Sequence, residues 1–462
     1  MAPIGNSAAA RDVAHLVHPY TNLATHAEKG PLILTRGKGI HVWDDTGREY
    51  IEGMSGLWCT SFGFGEEELV EAAVEQMRKL PYYHGFTGKS TEPAIELAEK
   101  LKAMMPFPAS KAFFVNSGSE ANDTQIKLVW YYNNALGRPK KKKIISRIKA
   151  YHGVTIASAS LTGLPNNHRD FDLPIAGILH TECPHHYRFA EPGESEEAFA
   201  TRLAEALEAR ILEEGPDTVA AFIAEPIMGA GGVILPPATY FEKVQAVLAK
   251  YDVLFIDDEV ICGFARTGNM FGAETYGMTP NSMSVAKALS SAYLPIAACV
   301  FDEPMYQALE DQSRKIGTFA HGYTYSGHPA CAAVAVKTLE LMERRNVLAH
   351  VRDVAPHFQR RLKAFADHPL IGEARGIGLI GALEPVSDKK TRRGFDAAKA
   401  VGPGLVARAQ EQGLILRAIG DAVAFCPPLI ITESEIDEMF DRFARALDET
   451  EAWVSRENLR AP

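Results

Sequence analysis

Four short runs limit what this chain can fold into: AFFV (112–115), KIISRI (143–148), VAAFIA (219–224) and VLFI (253–256). Each is rich in β-formers, continuous rather than alternating, and separated from the next by segments of helical period. Strands apolar on both faces must be covered on both faces, so they read as a parallel sheet between two helical layers, a doubly wound α/β domain. Ligands of such sheets bind beyond the carboxyl ends of the strands. Leu69, Val70, Ala73, Val74, Met77 and Leu80 mark one helical face, and Thr91 to Met105 a second helix that Pro106 stops. Beyond about residue 329 the pattern turns helix-rich (329–349, 351–366, 395–412, 433–455), with short strands in RGIGLIGALE and LILR. The expected division is an N-terminal segment, 1–60, joining a smaller α+β domain, 330–462, beside the large domain, 61–329.

Charge narrows the partners. The chain of 462 residues has 48 Lys plus Arg against 58 Asp plus Glu, a formal net charge of −10, the wrong sign for a protein that coats nucleic acid or an anionic membrane. No run of about eighteen apolar residues is present, and the N-terminus has neither a basic n-region nor an apolar h-region. The six cysteines are scattered without a CxxC pair, which suits reduced thiols and a cytoplasmic protein.

Three weak motifs are set aside. Gly376, Gly378 and Gly381 spell GxGxxG, but Ala-Leu-Glu-Pro385 follows and cannot open a phosphate-holding helix, so tight strand packing is expected instead. Arg138 and Lys140 to Lys143 read as a solvated loop. Cys183, His185 and His186 lack a fourth ligand at zinc spacing, and no metal is expected.

The stronger signals all follow strands. After AFFV comes Asn116-Ser117-Gly118-Ser119-Glu120 and a helix, where small residues and free amides favour an anion such as phosphate. VLFI ends in Asp257-Asp258-Glu259, and a carboxylate buried there needs a cationic partner. Lys287 lies in SMSVAKALSSAYLPIAACV, a segment of apolar and small residues with no acid beside it; an amine in such a setting deprotonates more easily and can bond an aldehyde. Phosphate loop, carboxylate and amine are the three anchors that pyridoxal phosphate requires.

NSGSEAND, KAYHG, AEPIMGAGG, FIDDEVICGFARTG, SVAKALSSAYLPI and HGYTYSGHP together resemble the class III pyridoxal-phosphate aminotransferases of fold type I, near the omega-amino-acid:pyruvate or amine:pyruvate transaminases. The resemblance runs from about Tyr20 to Pro428. It implies a large doubly wound, mostly parallel-sheet domain with a smaller α+β domain, and pyridoxal 5'-phosphate as cofactor. It implies Lys287 as the residue that carries the cofactor and moves protons, with Asp258 against the pyridine nitrogen. Gly118 and Ser119 would hold the phosphate, Tyr151 and Val260 would cover the two ring faces, and Glu225 would stand beside the cofactor. Thr324 would reach the phosphate of a partner subunit, which makes a homodimer with shared sites part of the expectation. Tyr20, Trp58, Phe86 and Ala230 match substrate-pocket positions, and Arg417 matches a mobile arginine that meets a substrate carboxylate. Ala265, Ala288 and Ala292 depart from the family, standing where glycine is more usual.

The implied activity is transfer of an amino group from an amine or omega-amino acid to a 2-oxo acid, pyruvate first, by ping-pong exchange through pyridoxamine phosphate. Alternatives are a decarboxylase or aminomutase of the same fold, a diamine- or taurine-specific transaminase, or a catalytically silent scaffold.

Overall fold

The computed structural model describes residues 6–461; the outer ends of the expected 1–60 and 330–462 segments lie outside them. Near the N-terminus are β1 (Leu34–Lys38), β2 (His41–Asp44) and β3 (Glu49–Glu52). Next come β4 (Ala109–Val115), β5 (Lys143–Arg147), β6 (Ile178–Thr181), β7 (Val219–Ala224), β8 (Leu254–Asp258), β9 (Ser282–Val285) and β10 (Ala297–Asp302). The last are β11 (Ile371–Ile377), β12 (Ile380–Pro385), β13 (Leu414–Ile415), β14 (Arg417–Ile419) and β15 (Ala422–Phe425).

The central sheet has seven strands in the order β4-β10-β9-β8-β7-β5-β6. All its pairs are parallel except those of β10, which runs antiparallel to both β4 and β9. The pleat sends alternate residues to opposite faces. Ile145, Phe222, Ala224 and Phe255 enter the core that holds Phe199, Phe241 and Val244 of helices Glu196–Glu214 and Tyr240–Lys250. Ile144, Ala221, Ile223, Leu254 and Ile256 enter a second core with Ile126 and Val129 of helix Gly118–Ala135. The two cores are the two sides of a doubly wound sheet, and they explain why every residue of β7 is buried.

The four apolar runs are strands, but AFFV lies in the edge strand β4, whose only pairing is antiparallel to β10 and where Ala112, Phe113 and Phe114 are half-buried rather than covered on both faces. The antiparallel β10 and the polar β9 were not foreseen. The sequence of β9 is Ser-Met-Ser-Val, and its serines are satisfied from outside: Ser282 Oγ donates to Gln125 Oε1 at 2.9 Å and Gln125 Nε2 donates to Ser284 Oγ at 3.2 Å. A strand that relies on a helix for its hydrogen bonds carries no apolar signal.

Two smaller sheets complete the chain. One has the order β11-β12-β15-β14; the other, β1-β2-β3-β13, pairs the N-terminal strands with a C-terminal one, Leu414 opposite Ile51. The GxGxxG glycines form the β11–β12 hairpin: Gly376 faces Gly381, and a Cβ on Gly381 would come within 2.3 Å of Leu362 Cδ2. The basic run departs from the expected solvated loop, because Lys141 is buried, donates to Tyr251 O at 3.1 Å and pairs with Asp252 at 3.6 Å. His185 Nε2 meets Glu373 at 2.8 Å, and Arg375 bonds both Glu373 and Glu384.

Candidate active site

A cavity of about 350 Å³ opens beyond the carboxyl ends of the central strands and is lined by Gly118, Ser119, Tyr151, Glu225, Asp258, Val260 and Lys287. The sheet places each one. Helix Gly118–Ala135 begins after β4, capped by Ser117, whose hydroxyl accepts the Glu120 N–H at 3.2 Å, so its first turn of amides faces the cavity. A Cβ on Gly118 would meet the Val260 methyls at 3.0 and 3.1 Å, so the residue must be small for the loop and Val260 to close together. Ser119 Oγ accepts the Val154 N–H at 3.1 Å and ties the helix start to the loop after β5. Gly153 there has φ +139°, and a Cβ would come within 2.6 Å of Ser119 Oγ.

Asp258 ends β8 and is 3% exposed. Its Oδ2 accepts from Asn122 Nδ2 and interacts with His152 Nδ1, each at 2.7 Å, and its Oδ1 accepts the Val260 N–H at 3.1 Å. His152 Nε2 is buried without a partner. Neither Asn122 nor His152 was singled out from sequence, although both stand inside the motifs read there, NSGSEAND and KAYHG. The two acids flanking Asp258 point the other way. Asp257 is fully buried with both oxygens unpartnered, and Glu259 accepts the Ala273 N–H at 2.6 Å.

Glu225, one residue past β7, accepts the Tyr151 N–H at 3.0 Å and the Gly229 N–H at 3.1 Å. It thereby holds both the ring-bearing loop and the loop of Ala230, which is 7% exposed. Burial raises the Glu225 carboxyl above its usual range. Lys287 opens a short turn after β9 with φ +48° and lines the cavity.

The remaining predicted residues are brought in to different degrees. Burial raises the Tyr151 phenol, as does Tyr20, and the more distant Arg417 charge acts in the opposite sense. Tyr20 is 65% exposed, and Arg417 starts β14, half-buried. Trp58 is 2% exposed, in one cluster with Ile261, which lines the cavity. None of Tyr20, Trp58, Ala230, Arg417, Phe86 and Thr324 is among the residues that line this cavity, and the contacts of the last two lie away from its walls. Phe86 is 47% exposed against Gly322, and Thr324 is exposed with its carbonyl accepting from Tyr82 Oη at 2.7 Å. Of the three alanines, Ala265 and Ala292 have φ of +77° and +62°, the region glycine favours, and Ala292 lines the cavity. Ala288 is buried in the lysine turn.

Fold and site together define the class, a fold type I α/β transferase. The family model for aminotransferase class-III matches residues 23–447, and the chain belongs to that family and is a transaminase. Gamma aminobutyrate transaminase 1, mitochondrial, of Solanum lycopersicum is 52% identical over 440 residues, covering 95% of this chain and 85% of the relative. The omega transaminase of Pseudomonas jessenii in complex with PMP superposes with TM-score 0.96 at 55% identity, over 97% of this chain and 99% of that one. The thermostable omega transaminase PjTA-R6 variant W58M/F86L/R417L, engineered for asymmetric synthesis of enantiopure bulky amines, has the same TM-score, 0.96, at 55% identity, over 97% and 100%. These likenesses overturn the silent-scaffold alternative. No helix among the described residues is long and apolar enough to cross a membrane.

Proposed function

We propose that this chain holds pyridoxal phosphate at Lys287 and moves an amino group from an amine or omega-amino acid to a 2-oxo acid, pyruvate first. One observation carries the reading: a buried carboxylate fixed by Asn122 and His152 shares a cavity with Lys287 and a helix N-terminus. These residues fit the cofactor's three demands: an anion site at Gly118 and Ser119, an acid at Asp258 and an amine at Lys287. Bound there, the group supplies an electron sink for the donor carbon.

The chain's own residues do the rest. Asp258, held by Asn122 and His152, lines the cavity, where it would meet the cofactor's ring nitrogen. Lys287 Nζ takes up the proton released from the donor carbon, and the Gly118–Ser119 amides would hold the phosphate. Tyr151 and Val260 would cover the two faces of the ring, and Glu225 fixes Tyr151 through its backbone N–H. Arg417 takes a substrate carboxylate, Trp58, Tyr20 and Ala230 bound the substrate, and Phe86 does so in the neighbour's cavity; Trp, Phe and Arg at 58, 86 and 417 support this, since those three numbers are substituted in the bulky-amine variant.

The reading extends to a homodimer with shared sites, Thr324 serving the neighbour's phosphate, to a domain division at residues 61 and 330, and to an N-terminal segment joining the C-terminal domain, the last supported by the β13–β3 pairing. Six unpaired cysteines support a reducing, cytoplasmic setting. A panel of donors (1-phenylethylamine, beta-alanine, gamma-aminobutyrate, a diamine, taurine) with pyruvate tests the function. Alanine should form mole for mole with loss of donor; carbon dioxide release without alanine would overturn the reading in favour of a decarboxylase.

A further inference from the structure

Glu52 belongs to no motif, yet it closes β3 at 3% exposure and its carboxyl Oε2 accepts the Gly56 N–H. That amide lies in a sharp reversal, with φ of +49° at Ser55, +66° at Gly56 and +66° at Trp58. Two of these are side-chain-bearing residues in left-handed backbone, a conformation that persists only when its surroundings hold it. The reversal delivers the wall of the site: Cys59 lines the cavity with Lys287 and Ile261, and Trp58 shares a cluster with Ile261. Its other ties fall elsewhere. Ser55 Oγ donates to Cys426 O at 2.7 Å, and Trp58 N–H donates to Met54 O at 2.8 Å. Glu52 alone, among the described residues, takes the Gly56 amide.

We propose that Glu52 is a positioning residue that sets donor-amine affinity by clamping the Gly56 amide and so fixing the Trp58–Cys59 wall. This rests on the transaminase reading, with Trp58 bounding the donor. Glu52 forms no ion pair among the described residues. Cys59, on its own turn, and Cys426, after β15, each lie within reach of its charge and of Arg266 and Lys287. Arg266 spends its guanidinium on Leu379 O at 3.0 Å, Pro427 O at 2.6 Å and Ser55 Oγ at 3.4 Å. Burial therefore pushes Glu52 up to about 8, so the clamp at neutral pH is a neutral acid accepting through an oxygen. Above that pH it becomes a buried anion with no cation at ion-pair distance among the described residues, water is drawn in to solvate it, and the wall loosens.

Three proteins test the proposal: the wild type, Glu52→Gln, which keeps the accepting oxygen but cannot titrate, and Glu52→Ala, which removes it. Glu52→Ala should raise KM for 1-phenylethylamine roughly tenfold with kcat within about twofold, and Glu52→Gln should restore KM at pH 7.5. The ratio of wild-type to Glu52→Gln KM should climb between pH 7 and 9.5, other titrations cancelling in it. Equal loss of kcat in both variants, or a flat KM ratio, would overturn the clamp. Hydrogen exchange of the peptide spanning residues 54–59 gives a reading free of turnover: protection should fall in Glu52→Ala and persist in Glu52→Gln. Equal protection in all three overturns the clamp even in a protein that does not transaminate, whereas failure of the functional reading shows separately, as no alanine from the wild type with any donor.

Discussion

Left-handed backbone costs a side-chain-bearing residue about 1–2 kcal/mol, and Ala265 and Ala292 both sit there. The two differ in what their methyl groups earn. Ala265 is 1% exposed, so its methyl recovers part of the strain by packing. Ala292 is exposed at the cavity rim and recovers little. Ala292→Gly should therefore stabilise the protein by about 1 kcal/mol in urea unfolding, and Ala265→Gly by less; an Ala265→Gly gain equal to or above that of Ala292→Gly would show that burial is not what separates them. At this scale the sequence was legible where chemistry is rare. A lysine in an apolar segment and acids at a strand end announced Lys287 and Asp258. Asn122, His152 and Glu52 were silent, because an amide, an imidazole or a carboxylate that works by holding a neighbour differs from its ordinary counterpart only in what folding puts beside it.

The strand β8 shows how one element sorts like residues into unlike roles. Its pleat turns Asp258 toward helix Gly118–Ala135 and sends Asp257 and Glu259 to the opposite side, so three successive carboxyls divide into one that lines the cavity and one buried pair. That division was not legible: the run of acids was, but its facing depends on where the last strand residue falls in the pleat. Burial, and then the charge of Glu259, holds Asp257 well above the usual carboxylate range, and burial brings Glu259 up to about 7. Folded values above unfolded ones mean a contribution fully present below about pH 4 and lost as pH rises through 7. Asp257→Asn removes one of the two acids while keeping its shape. It should raise the melting temperature by a few degrees at pH 8 and by much less at pH 5. A gain independent of pH would assign the effect to packing, and a loss at pH 8 would mean that the Asp257 charge is compensated.

For the whole molecule, the exposure of Thr324 and Phe86 is the feature that a single copy leaves unused. The segment around Tyr82 packs on the one around Thr324, with Tyr82 and Tyr325 ring centroids 5.7 Å apart, and together they turn Tyr83, Phe86 and Tyr325 to the outside at 45%, 47% and 59% exposure. Apolar rings grouped in this way suit a symmetric contact, in which a residue far from its own cavity comes close to a neighbour's. If Thr324 serves the neighbour's phosphate, two separately dead chains must be able to repair each other. Lys287→Ala lacks the amine but offers an intact Thr324; Thr324→Asp offers an intact lysine but sets a charge against the neighbour's anion. In a mixed dimer, one of the two cavities then has Lys287 and Thr324 together, and the other has neither. Random exchange at equal amounts puts half of the chains' sites in mixed dimers and repairs half of those, so activity should return to roughly a quarter of wild type. No recovery after exchange verified by mass, or full activity of Thr324→Asp alone, would place Thr324 outside the catalytic assembly.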